Sequence, residues 1–206
     1  MTWWRASRGS REAVDATPGH GSWGSGREAP PGSVMEVFRV LFVCSGNLCR
    51  SPIAQTVGRN LAPRAGLALR LEFDSAGTSS LQGRASTDPR ALAVLKQAGY
   101  AGGPHRARRM VPQDFAANDL VLAMDAGHLE TLRDVCAPEH AHKLRLFLDF
   151  APGFEGQDVP DPYFGDRSGF ERVLQLCEAG VRGLLAAAPG LPGSVGRRGI
   201  TDSCAG

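Results

Sequence analysis

The sequence predicts a single doubly wound α/β domain, with a four-stranded parallel sheet flanked by helices. Three observations lead there. Short, nearly all-apolar runs such as "VFRVLFV" (37–43) and "DLVLAMD" (119–125) read as strands covered on both faces. Stretches with helical apolar spacing separate them, and that alternation implies right-handed βαβ crossovers. A length of 206 residues suits one domain with extensions.

Taken in order, residues 1–34 are rich in Gly, Ser, Pro and Arg and carry no apolar period, so disorder is expected. They also lack the continuous apolar core of a secretory signal. Met35, directly before the first strand, is a candidate translational start. The folded domain is expected over residues 35–188. After the first strand, Pro52 opens a helix to about Ala65, with Ile53, Val57 and Leu61 at spacing four. A second strand lies within "LALRLEFDSAG" (67–77). "STDPRALAVLKQAGY" (86–100) is a helix, with Asp88 as N-cap, Pro89 in the first turn and Gly99 near its end. The third strand is followed by a helix from Ala126 to about Cys136, and a fourth strand is expected over "KLRLFLDF" (143–150). A last helix runs from about Ser168 to Ala188, its apolar face made by Phe170, Val173, Leu174, Cys177, Val181 and Leu184. From Pro189 the chain reads as a flexible tail in which Cys204 is incidental.

Bulk properties exclude several classes. A formal net charge of +2 is too small to imply nucleic acid or a membrane surface as partner. No run of 18 apolar residues is present, so no transmembrane helix is expected. Five irregularly spaced cysteines do not form a disulfide framework, which points to a reducing, cytoplasmic setting.

The chemistry concentrates in "VCSGNLCRSP", where the first strand ends. In doubly wound sheets ligands bind beyond the carboxyl ends of the strands. Ser45, Gly46, Asn47, Leu48 and Cys49 separate Cys44 from Arg50, a length that can aim several backbone N–H groups at one anion as it closes onto a helix N-terminus. Arg50 adds a planar fork of donors matched to two phosphate oxygens. That positive setting favours the thiolate of Cys44, to which Ser51 could donate a hydrogen bond. The loop reads as a phosphate cradle with a nucleophile at its floor.

These residues closely resemble the signature of the low molecular weight protein tyrosine phosphatases, a cysteine followed by five residues, an arginine and a serine. "VPDPYFGD" (159–166) resembles that family's acid loop, and "DSAGTSS" and "STDPR" resemble two further segments, so the likeness spans about residues 37–186. The resemblance implies Cys44 as nucleophile, Arg50 as phosphate ligand and Asp161 as general acid, with no metal or other cofactor. It implies phosphate contacts along Ser45–Cys49 and Ser51, and loop support from Asn47, Ser75 and His105. Leu81, Tyr163 and Phe164 would line an apolar slot for a phenyl ring. Cys49 matches a neighbouring cysteine able to form a protective disulfide with the nucleophile. Phosphotyrosine proteins would be the partners, a bacterial tyrosine kinase among the candidates.

Two rivals share the scaffold. Relatives acting on phosphoarginine tend to carry threonine where this chain has Leu48, which tilts the reading toward phosphotyrosine. A thioredoxin-coupled arsenate reductase would need two further cysteines close together, whereas Cys136 and Cys177 are far apart and both on expected helices. A phosphate-binding module without catalysis would be expected to lack the cysteine, the arginine or the acid. His128, Cys136 and Cys177 are expected to be packing or surface residues. Asp125, ending an expected strand at the active edge, is a candidate for a supporting role.

Overall fold

The computed structural model describes residues 37–67, 69–79 and 85–191. The extension expected at 1–34, and the tail beyond Leu191, lie outside the described residues. Among the described residues, four strands and five α-helices follow one another. They are β1 (Val37–Cys44), α1 (Arg50–Leu61), β2 (Arg70–Gly77), α2 (Pro89–Gln97), α3 (Gln113–Ala117), β3 (Leu120–Ala123), α4 (Ala126–Val135), β4 (Leu144–Leu146) and α5 (Arg167–Ala187).

All pairings in the sheet are parallel, in the order β2-β1-β3-β4. The chain leaves β1 toward β2 on one side and reaches β3 on the other. The loop after β1 therefore opens at the switch point of the sheet. Strand periodicity divides the core around β1. Phe38, Val40 and Phe42 face the layer that contains Ile53 and Val57 of α1, Val94 of α2 and Phe170 of α5. Leu41 and Val43 face Phe115 of α3 and Leu132 of α4. Covered on both faces, β1 has to be apolar almost throughout; its one exposed residue is Arg39.

Helix signals act as expected at α2, where the Asp88 side chain accepts from Arg90 N at 2.8 Å and Gly99 takes φ +79° just past the end. Two elements depart from expectation. The fourth strand stops at Leu146, and Phe147–Phe150 form a 3₁₀ turn instead. The apolar run continues because that turn buries Phe147 and Leu148 fully. Gly180 of α5 lies against the Phe147 ring, so close that a Cβ there would fall 2.5 Å from it. A continuous apolar run does not separate a buried strand from a buried turn. The five-residue α3 is too short to show a period in the sequence. Among the described residues no helix is long and apolar enough to cross a membrane.

Candidate active site

Strand β1 delivers Cys44 to its carboxyl end with the residue only 3% exposed. The loop then turns directly into α1, whose N-cap, Cys49, makes no side-chain capping bond. The first-turn amides of α1 and the positive end of its dipole are thus left facing the loop. Asn47 makes the turn possible. It is the only non-glycine with positive φ among the described residues, at 57°, a conformation that costs energy unless the surroundings hold it.

They hold it from every side. Asn47 Nδ2 donates to Ser51 Oγ at 3.0 Å and to Ser75 Oγ at 2.9 Å. Its Oδ1 accepts from Arg108 N at 3.0 Å, and its backbone carbonyl lies 2.9 Å from His105 Nε2. A carbonyl can only accept, so Nε2 of His105 carries the proton. The end of β2 braces the same loop: Thr78 N donates to Cys44 O at 2.8 Å and Ser79 N to Ser45 O at 3.0 Å. The three supporting residues named from sequence, Asn47, Ser75 and His105, therefore meet in one network.

The sulfur of Cys44 lies 3.0 Å from Ser51 Oγ. That hydroxyl accepts from Asn47, and its one proton can point at the sulfur or at Ala76 O, 3.3 Å away. Arg50, the loop's cation, is only 4% exposed. Its Nη2 donates to Ser45 Oγ at 3.1 Å and to Asp161 Oδ2 at 2.9 Å; its Nη1 donates to Asp125 Oδ2 at 2.6 Å and to Val159 O at 3.3 Å. A buried guanidinium needs paired charge, and two carboxylates supply it. Burial works against ionisation of Asp125, but the closeness of His128 and Arg50 and the His128 main-chain N–H hold its carboxyl well below the usual range.

Two residues matter more here than the sequence suggested. Asp125 caps α4 by accepting from His128 N at 2.7 Å, and also pairs with Arg50. His128 is not merely a packing or surface residue. It is buried, with Nε2 2.8 Å from Ser45 Oγ. Its Nδ1 sits 2.8 Å from Asp125 Oδ1, out of line for a hydrogen bond. The usable signal is positional: an aspartate two residues past a strand at the active edge, capping the next helix, has a histidine three residues on.

The segment bearing Asp161 is zipped to the end of β3, since Val159 N donates to Met124 O at 2.8 Å. Tyr163 N donates to Asp161 Oδ1 at 3.1 Å and holds the carboxylate over Arg50. Tyr163 and Phe164 meet edge to face at 5.1 Å; Tyr163 is 40% exposed and Phe164 95%. Leu81, named with them from sequence, lies outside the described residues. Cys49 is buried behind the loop, and burial, ahead of the nearby Asp88, pushes its thiol up to about 12. Cys177 of α5 lies below, its thiol directed at Arg50 O. Among the described residues no group of three or more His, Cys, Asp or Glu could hold a metal ion.

Comparison with known proteins bears directly on this geometry. Residues 39–189 match the sequence model of the family described as low molecular weight phosphotyrosine protein phosphatase. The chain belongs to that family. Over 153 residues this phosphatase-family chain is 48% identical to the low molecular weight protein-tyrosine-phosphatase of Streptomyces coelicolor, covering 73% of itself and 93% of that protein. Its fold matches a crystal structure of the protein tyrosine phosphatase of Entamoeba histolytica with a TM-score of 0.69 at 34% identity, covering 73% and 96% of the two chains. The arginine phosphatase YwlE of Bacillus subtilis, solved as a variant with a phosphorylated active-site serine, matches at TM-score 0.64 and 26% identity over 72% and 94%. In the phosphatase described here, Cys44, Arg50, Ser51 and Asp161 come together from β1, α1 and the segment before α5.

Proposed function

We propose that this phosphatase hydrolyses phosphotyrosine in proteins through a phosphocysteine on Cys44. One observation carries the reading. The Cys44 sulfur, supported by Ser51 at 3.0 Å, shares a loop with Arg50, whose guanidinium is 2.9 Å from the Asp161 carboxylate. Nucleophile, anion ligand and acid thus converge on one cradle.

In the first step the Cys44 thiolate attacks phosphorus. The S–P bond forms as the P–O bond to the phenol breaks, and the departing oxygen takes a proton from Asp161, which carries it once the substrate's phosphate has taken its place beside Arg50. A phenolate, with a pKa of about 10, leaves far more readily when protonated. In the second step Asp161, now ionised, takes a proton from water as that water attacks phosphorus. The S–P bond breaks, and the Ser51 hydroxyl steadies the thiolate that returns. Arg50 and the amides of Ser45 to Cys49 stabilise the equatorial oxygens in both steps, so the protein supplies the positive charge that a metal would otherwise bring. Asp125 keeps Arg50 aimed, and the Asn47, Ser75 and His105 network keeps the loop in its strained shape.

Tyr163 and Phe164 at the rim suit an aryl phosphate, with Leu81 assigned to the same wall from sequence. Leu48 supports phosphotyrosine over phosphoarginine. The four described cysteines are free, in keeping with a reducing cytoplasm.

Turnover of para-nitrophenyl phosphate after chelator treatment tests the reading. The wild type is expected to hydrolyse it and Cys44→Ser to be inactive. Asp161→Ala is expected to lose about 10²-fold or more with phenyl phosphate, and less with para-nitrophenyl phosphate. An inactive chelated wild type sinks the proposal. Faster turnover of phosphoarginine than phosphotyrosine peptides replaces the substrate.

A further inference from the structure

Arg90, on the first turn of α2, contacts neither the sulfur nor the guanidinium of Arg50, yet it joins the two loops that carry them and the acid. We infer that Arg90 is a positioning residue for Asp161, and that Asp88 and Arg90 together form a strut tying the acid segment to the phosphate loop.

The strut can be followed atom by atom. Asp88 N donates to the carbonyl of Leu48, inside the phosphate loop, at 3.0 Å. The Asp88 carboxylate accepts from Arg90 Nε at 3.1 Å and from Nη2 at 2.9 Å, fixing the guanidinium plane. From that plane Nη2 donates to Tyr163 O at 3.0 Å and Nη1 to Gly165 O at 3.2 Å. The guanidinium also lies over the Phe170 ring, 4.6 Å from its centroid. Phe170 is fully buried and so gives the strut a rigid seat.

Tyr163 is the decisive link. Its N–H donates to Asp161 Oδ1, while its carbonyl is held by Arg90. The main-chain unit that aims the acid is therefore anchored by a side chain from a different helix. Gly165 N closes the same turn onto Pro162 O at 3.0 Å. Lysine, a point charge without the planar fork, cannot reach the carboxylate and both carbonyls together.

The inference rests on the acid role proposed for Asp161, and the experiment separates the two. Arg90→Met, Arg90→Lys and Asp161→Ala are compared with wild type by kcat/KM on phenyl phosphate and para-nitrophenyl phosphate, with inhibition by inorganic phosphate as the measure of the cradle. Arg90→Met is expected to lose about 10-fold or more on phenyl phosphate and under about 3-fold on para-nitrophenyl phosphate, with phosphate inhibition unchanged within about 2-fold. Arg90→Lys should fall between Arg90→Met and wild type. If Asp161→Ala shows the leaving-group dependence and both Arg90 variants do not, the strut is overturned while the acid stands. Equal losses on both substrates together with weakened phosphate inhibition also overturn it, because Arg90 then serves the cradle. If Asp161→Ala itself shows no leaving-group dependence, the acid reading fails, and the strut fails with it.

Discussion

Replacing Gly77 with alanine perturbs the cradle without changing any residue that meets substrate. Gly77 ends β2, where its N–H donates to Arg108 O at 2.9 Å and its carbonyl accepts from Met110 N at 2.8 Å. It is therefore held on its far side. On its near side, an added Cβ would fall 2.5 Å from Ser45 O and 3.1 Å from both Asn47 N and the Gly46 carbonyl carbon. Ordinary contact begins at about 3.4 Å, so something has to move by about 0.9 Å. All three neighbours are main chain, which leaves no side-chain rotamer to absorb the shift. Overpacking of this kind costs about 1–3 kcal/mol of stability. A displacement of about 1 Å at reacting groups can cost about 10²-fold in rate. The expected result is a folded protein whose kcat/KM on para-nitrophenyl phosphate is down about 10²-fold, with weaker inhibition by inorganic phosphate. A thermal scan checks folding. Activity within about 3-fold of wild type would show that the loop yields freely to β2, and would refute the claim that this contact sets its shape.

Two further outcomes follow from the site's electrostatics. The carboxyl of Asp125 is held below the usual range, so its stabilisation is present above the unfolded value of about 4 and is lost as pH falls through the lower folded value. Asp125→Asn should thus cost about 2 kcal/mol at pH 7, with the gap to wild type closing on acidification; unfolding midpoints from pH 7 down to 2 measure it. With its thiol near 12, Cys49 should be thiolate in only about one molecule in 10⁴ at pH 8. Iodoacetate at that pH should therefore modify Cys44 and leave Cys49 intact, as read by peptide mass spectrometry, and phosphate should protect. Rapid alkylation of Cys49 would contradict its burial.

Much of this was legible from particular residues. The β1 run had to be apolar because both of its faces are covered, and Asp88, Pro89 and Gly99 marked the bounds of α2 because capping chemistry is local. The Cys44 to Pro52 segment carried its spacing within ten residues, so loop, sulfur and arginine were recognisable together. The turn at Phe147–Phe150 was not, since burial alone does not say whether an apolar run is extended or coiled. His128 carries no local mark, since a lone histidine on a helix is most often packing, and what distinguishes it is Ser45, 83 residues away.

The alternation of elements, the parallel sheet and the short-range signature at the end of β1 follow from the order of residues, because each depends on neighbours a few positions apart. The surroundings of Arg50 emerge from the fold alone. Asp125, Val159 and Asp161 are drawn to it from 75 to 111 residues away, because a guanidinium only 4% exposed must find paired charge and carbonyls wherever the fold brings them.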